Sequence, residues 1–307
     1  MIGGPGHGLP AGSLSCAAMI NAAADTVADL QARGTVLPTG SRCLIMGVVN
    51  VTPDSFHDGG RWLDPATAIA HGVTLAGEGA DMLDVGGEST RPGAAYIDTE
   101  TELARVIPVI RGLARATRVP ISVDTRKAAV ARAALDEGAA VVNDVSAGRD
   151  DPELLKVAAG EGAGLILMHM QGTPMTMQRN PHYDDVVAEV TAFLAERVAA
   201  AEAAGVPRDA IAVDPGIGFG KRDEHNYALL GALDRIAPHH RPVLSGVSHK
   251  GFIGRALGLP ADQRLEGTSA AVAWSVVHGA RIVRVHDVGP MRRVVTMTEA
   301  LIRGATG

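Results

Sequence analysis

Hydrophobic residues in this chain gather into short unbroken runs, and each run stops on polar side chains. The first is Leu44-Ile45-Met46-Gly47-Val48-Val49-Asn50, followed by a loop rich in Pro, Asp, Ser and Gly that extends to Gly60. A continuous apolar run without alternation predicts a strand buried on both faces. Four more runs are introduced by one kind of turn. Glu78-Gly79-Ala80 precedes Asp81–Gly86, and Glu137-Gly138-Ala139 precedes Ala140–Asp144. Glu161-Gly162-Ala163 precedes Gly164–His169, and His278-Gly279-Ala280 precedes Arg281–His286. Each glycine closes a helix where a positive φ is cheap. Val119–Asp124, Ala210–Asp214 and Pro242–Ser248 bring the strands to eight.

Helical segments fill the intervals. Asp64-Pro65 supplies an N-cap and a proline at the first helical position, opening a helix to about Gly77. Further helices are expected over Thr99–Arg118, Arg126–Glu137, Asp151–Ala159, Tyr183–Ala204, Asp223–Ile236, Leu265–Val277 and Pro290–Arg303. Eight strands alternating with eight helices predict an α/β fold, a single-domain (β/α)8 TIM barrel over residues 41–307. A doubly wound open sheet is the rival. It gives no reason for every strand to end in polar residues, which a closed ring sharing one mouth does. Residues 1–40 are read as a short N-terminal extension, partly disordered, with one helix around Ser15–Arg33 and no assigned function.

Composition narrows the partners. A formal net charge of −6 leaves no basic face, so nucleic acid is not an expected partner. An anionic substrate must then be gripped by a local cluster against the overall field. Cys16 and Cys43 match neither a metal spacing nor a disulfide framework and are read as free thiols of a reducing cytoplasm. No apolar run approaches the roughly 18 residues of a membrane span. The first fifteen residues lack the basic and apolar regions of a signal peptide.

In a barrel the strand ends converge on one site, and here two chemistries separate. Asp124, Asn143 and Asp214 close strands three, four and six. Each follows an apolar run, so each must find hydrogen bonds when buried. Together they suit a flat heterocycle carrying amino and ring N–H donors; singly, each also suits a plain capping role. Lys250, Arg284 and His286 come from strands seven and eight, where barrels commonly hold phosphate. Arg offers phosphate a two-pronged fork and His a further donor. A barrel-end salt bridge of Lys250 or Arg284 with Asp124 or Asp214 is the plainer alternative. Asn50 lies beside strand eight once the ring closes, and its amide oxygen suits Mg²⁺ when phosphates supply the remaining ligands. His169 fits a satisfied structural histidine better than a catalyst. Gly216, Gly218 and Gly220 form G-x-G-x-G, which is no dinucleotide fingerprint.

These residues lie in motifs specific enough to resemble a family. Met46–Gly60 and Asp84–Gly93, the latter Asp-Val-Gly-Gly-Glu-Ser-Thr-Arg-Pro-Gly, are similar to the two signatures of the dihydropteroate synthases. Ser122–Thr125, Asn143–Ser146, His169–Gln178, Asp214–Lys221 and Arg284–Asp287 match in order, so the resemblance runs across residues 42–303.

The resemblance implies transfer of a pterin methylene group from its pyrophosphate ester to the amine of p-aminobenzoate, with Mg²⁺ as cofactor. It implies pterin binding by Asp124, Asn143, Met168, Asp214, Phe219, Gly246, Lys250 and Arg284. Asp124, Lys250 and Arg284 would carry catalysis. Asn50, Arg91, Arg284 and His286 would hold pyrophosphate, with Asn50 on the metal. Phe56, Thr90, Pro92 and Ser248 would shape the p-aminobenzoate pocket, where sulfonamides compete. The family precedent is a homodimer acting on small molecules. Two departures stand out: His249 occupies the place of a usual Arg, and His57 that of a usual Ser. Three rival readings are a methyltetrahydrofolate-binding methyltransferase barrel, a catalytically silent pterin-binding paralogue, and a Schiff-base aldolase using Lys250. The last requires a lysine of lowered pKa, which Asp214 opposes.

Overall fold

A computed structural model describes residues 27–52, 64–236 and 240–306. Two strands, β1 (Leu30–Ala32) and β2 (Thr35–Leu37), form an antiparallel hairpin ahead of the barrel. The barrel strands are β3 (Leu44–Asn50), β4 (Met82–Gly86), β5 (Ile121–Asp124) and β6 (Val141–Asp144), then β7 (Gly164–Met168), β8 (Ile211–Asp214), β9 (Leu244–Ser245) and β10 (Ile282–Val285). They pair in parallel in the order β8-β7-β6-β5-β4-β3-β10-β9. The ring closes between β8 and β9 through the single bridge of Val213 with Val243. All eight expected barrel strands are present.

The helices are α1 (Pro65–Gly77), α2 (Thr99–Ala116), α3 (Ala128–Asp136), α4 (Glu153–Glu161) and α5 (Val186–Ala203), followed by α6 (Asp223–Leu230), α7 (Leu233–Ile236), α8 (Gly251–Leu257), α9 (Leu265–Val277) and α10 (Val288–Thr306). Asp64 caps α1 by accepting the Ala66 N–H, and Asp185 caps α5 through the N–H groups of Val187 and Ala188. The turn glycines Gly79, Gly138, Gly162 and Gly279 all adopt positive φ, between 60° and 108°, as the repeated turn required. The helix expected over Asp223–Ile236 is split at Gly231 and Ala232. The short α8, which the periodicity did not reveal, follows β9 after the five-residue loop 246–250.

The core has two layers. The outward faces of the strands meet the helices, with Ile45, Leu83, Val123, Leu165 and Val283 fully or almost fully buried there. The inward faces fill the barrel with Leu44, Met46, Met82, Val141, Ile166, Ala212, Leu244 and Ile282. Leu30, Ala32 and Leu37 of the hairpin belong to this inner cluster and cover its N-terminal end. The helix expected around Ser15–Arg33 is therefore corrected where it is described: Leu30–Ala32 is a strand, tied by the Leu30 N–H to Thr39 Oγ1 at 3.0 Å. Three apolar positions spaced by the hairpin turn give these residues more burial as a plug than a lone helix would.

Candidate active site

Side chains alternate across a strand with a period of two. Continuing that period beyond the inner core places the next inward residue at the barrel mouth. Val141, Ile166, Ala212, Leu244 and Ile282 are inner-core residues, and two positions further along lie Asn143, Met168, Asp214, Gly246 and Arg284. With Asp124, Phe219 and Lys250 these line a recessed slot. All eight residues expected to hold a pterin are brought together there.

Arg284 is forked between two carboxylates. Its Nε donates to Asp84 Oδ2 at 2.6 Å and its Nη2 to Asp124 Oδ2 at 3.1 Å. The salt-bridge alternative is thus realised for Arg284 in the free protein, with Asp84 as a partner the sequence reading missed. Burial, then the neighbouring Asp84, pushes Asp124 up to about 7 against the pull of Arg284. Burial likewise raises Asp214 to about 6, although its Oδ1 accepts the Gly216 N–H at 2.6 Å. Desolvation takes Lys250 down to about 8 and outweighs Asp214. The expectation that Asp214 keeps this lysine from a lowered pKa is corrected on that ground. The Lys250 ammonium sits 4.1 Å from the centre of the Phe219 ring, a cation–π distance.

Above the slot opens a cleft of about 940 Å³, lined among others by Asn50, Thr90, Arg91, Pro92, Ser248, Arg284 and His286. Phe56 lies outside the described residues, as does His57. His286 is held neutral, at about 4, by burial and then by the Arg284 charge. Its Nδ1 lies 2.9 Å from Ser248 Oγ, which also accepts the His286 backbone N–H. Ser248 thereby fixes the orientation of the His286 ring as well as lining the wall. His249 has φ of 53°, places Nε2 2.6 Å from Asp287 Oδ2 and Nδ1 2.8 Å from the Ala261 carbonyl. Both ring nitrogens are occupied by protein acceptors, so His249 braces the loop rather than standing in for a free guanidinium.

Three groups near the site carried no role in the sequence reading. Asp84 accepts the Asn143 Nδ2 at 3.1 Å beside the Arg284 bond. A lone acid inside the apolar run Met82–Val85, on the inward period of Met82, was the available signal. Lys221 is buried, with Nζ 2.9 Å from His169 Nδ1 and 3.0 Å from the Phe219 carbonyl. His169 also packs edge-on to Phe193, 4.8 Å between ring centres, which fits its structural reading. Glu88 joins Arg126 at 2.7 Å and Lys127 at 3.0 Å beneath the loop that carries Thr90, Arg91 and Pro92. No sequence spacing announces either pair. Among the described residues no group of three or more His, Cys, Asp or Glu is placed to share a metal ion.

A slot lined by hydrogen-bond acceptors opening on a cationic cluster narrows the ligand, and comparison with known proteins identifies the family. A family model described as pterin binding enzyme matches residues 46–286. The dihydropteroate synthase of Escherichia coli (strain K12) is 44% identical over 273 residues, 89% of this chain and 96% of that protein. The chain belongs to the dihydropteroate synthase family. The Yersinia pestis dihydropteroate synthase, solved in complex with a sulfonamide drug, superposes with a TM-score of 0.84 at 41% identity. It covers 89% of this chain and 98% of its own. The Xanthomonas albilineans dihydropteroate synthase, solved with 4-aminobenzoic acid, gives 0.83 at 46% identity with the same coverage. The activity is accordingly that of a dihydropteroate synthase, a transferase on a TIM barrel.

Proposed function

We propose that the chain joins 6-hydroxymethyl-7,8-dihydropterin pyrophosphate to p-aminobenzoate, releasing pyrophosphate and forming 7,8-dihydropteroate. The observation that carries the residue roles is the meeting, at Arg284, of an acceptor-lined slot and a cationic strand-end cluster. Asp124, Asn143 and Asp214 take the amino and ring N–H groups of the pterin, with Lys250 beside them. Met168, Phe219 and Gly246 form the walls. Arg284 spans the ring and the diphosphate, which Asn50, Arg91 and His286 also hold. Thr90, Pro92 and Phe56 shape the p-aminobenzoate pocket, with Ser248 contributing through His286.

Catalysis then rests on charge. As the methylene C–O bond breaks, both electrons leave with the diphosphate, and the pterin spreads the positive charge. The carboxylates beneath the ring favour that cation, while Arg284, Arg91 and His286 stabilise the leaving group. The arylamine nitrogen forms the new C–N bond and gives up a proton to the departing diphosphate, the base the reaction itself supplies. No covalent enzyme intermediate is needed. The donor set fits Mg²⁺ as a guest of the diphosphate, since Asn50 offers one neutral oxygen and the hard cation needs several. When bound, Mg²⁺ supplies further neutralisation of the leaving group.

The groove of about 510 Å³ along α9 and α10, lined by Leu265, Pro290, Val294 and Met297, supports a homodimer in which a second copy covers it. No helix among the described residues is long and apolar enough to cross a membrane, and the buried free thiol of Cys43 fits a reducing cytoplasm.

The test supplies purified protein with Mg²⁺, the pterin pyrophosphate and p-aminobenzoate. Stoichiometric pyrophosphate and dihydropteroate are expected. Pterin binding without either product points to a silent paralogue, and a borohydride-trapped adduct at Lys250 to the aldolase.

A further inference from the structure

The fork at Arg284 is unequal. Asp84 has no exposed surface and lines neither the slot nor the cleft, whereas Asp124 lines both. A ligand entering the slot can compete for Asp124 but cannot reach Asp84. Asp84 Oδ2 is also the atom to which Asn143 Nδ2 donates, while Asp84 Oδ1 has no partner among the described residues. A carboxylate oxygen only accepts, so the amide must turn its nitrogen toward Asp84. That fixes the amide with one N–H engaged by Asp84 and its carbonyl oxygen turned away from Asp84, where a ligand can meet it.

From this geometry we infer that Asp84 is a positioning residue with two linked tasks. It tethers the Arg284 guanidinium through Nε when the substrate displaces Asp124. It also fixes Asn143 in the orientation that turns its carbonyl oxygen to the slot, beside the Asp124 and Asp214 carboxylates. The first task keeps a cation between the heterocycle and its anionic leaving group after the apo ion pair is broken. Without the tether, an Arg released from Asp124 swings with the diphosphate or collapses back onto the carboxylate. The second task sets specificity: a ring edge that places an N–H against the Asn143 oxygen is favoured over one that places an acceptor there. The inference rests on the proposed pterin and diphosphate roles of these residues.

The test is a double-mutant cycle of Asp84→Asn and Arg284→Ala, read by equilibrium binding of two ligands. One is the pterin pyrophosphate without p-aminobenzoate, and the other is the same pterin lacking the diphosphate. In the Arg284 protein, Asp84→Asn is expected to weaken the pyrophosphate ester about 10- to 100-fold, the range for losing hydrogen bonds to a charged group. In the Arg284→Ala protein that added cost shrinks to the smaller loss seen for the bare pterin, which persists in both backgrounds through Asn143. An equal cost in both backgrounds for the ester, or unchanged binding of the bare pterin, overturns the inference. Thermal melts of each variant accompany the cycle. If Asp84→Asn does not fold, Asp84→Glu, which keeps the charge and displaces it by one methylene, is carried through the same cycle and read by the same two criteria. A wild-type protein that binds both ligands but makes no product refutes the proposed reaction and leaves this cycle to be decided by its own numbers.

Discussion

Lys221 places its ammonium 2.9 Å from Nδ1 of His169, at the floor of the loops that follow β7 and β8. The two groups are buried, and each resists protonation. Burial, then the charge of Lys221, holds His169 down at about 2, and burial takes Lys221 down to about 7.

The sign of the resulting pH dependence is definite. Below about 6.5 the unfolded chain protonates its histidine while the folded one does not, so His169 costs stability as pH falls. The slope approaches about 1.4 kcal/mol per pH unit for one such group. The raised carboxylates Asp124 and Asp214 act in the opposite sense, because the fold holds their protons more tightly than the unfolded chain does. A comparison that cancels them is therefore required. The stability advantage of the wild type over His169→Asn should shrink by roughly 1–2 kcal/mol between pH 6.5 and 5 in urea titrations. A difference independent of pH would mean that His169 titrates normally.

Glu88 and Arg126 give the second prediction. Glu88 accepts from Arg126, Lys127 and the Ile97 N–H, while Arg126 also binds Asp150 at 2.6 Å and lies 4.2 Å from the Tyr96 ring centre. This buried network sits under Thr90, Arg91 and Pro92. Glu88→Gln removes one carboxylate from two cations that keep Asp150 and Glu102 as partners, which should destabilise the protein by about 1–2 kcal/mol. Because the network orders the loop rather than the reacting atoms, KM for p-aminobenzoate should rise several-fold with a smaller change in kcat. Steady-state kinetics beside a urea titration separates the two effects, and a fall in kcat alone would place Glu88 in the chemistry.

The barrel was legible because each strand is an apolar run ending on a polar residue, and period two then carried Asn143, Asp214 and Arg284 to the mouth. Asp84 obeys the same period yet was passed over. It stands one layer below the strand end, where an acid reads as part of a signature rather than as a ligand of Arg284. Lys221 and His169 are fifty-two residues apart, and only the folded ring brings them together. The hairpin of β1 and β2 was missed because three-residue strands carry too little pattern to outweigh an Ala-rich helical stretch.

That hairpin yields a prediction about stability alone. Leu30 is wholly buried against the inner cluster at the end of the barrel remote from the cleft. Leu30→Ala should cost about 2–5 kcal/mol, the range for emptying a core leucine site. At temperatures where the variant remains folded, kcat/KM should match the wild type. A loss of activity in the folded variant would show that the hairpin communicates with the mouth.

The last prediction concerns activity and pH. Free-enzyme titrations govern kcat/KM, and the slot contains carboxylates raised to about 7 and 6 and a lysine lowered to about 8. Asp124 and Asp214 accept pterin N–H groups most strongly when ionised, so kcat/KM for the pterin pyrophosphate should climb as pH rises through 6 to 7. Lys250 contributes its charge only below about 8, so the profile should fall again on the alkaline side. Asp124→Asn should lower the plateau and leave an acid limb near 6 from Asp214 alone. Lys250→Arg should remove the alkaline limb, because a guanidinium stays protonated throughout. A profile flat between pH 6 and 9 would separate these groups from substrate capture. An alkaline limb that survives Lys250→Arg would assign that proton to another group, with Lys221 the nearest buried candidate at about 7.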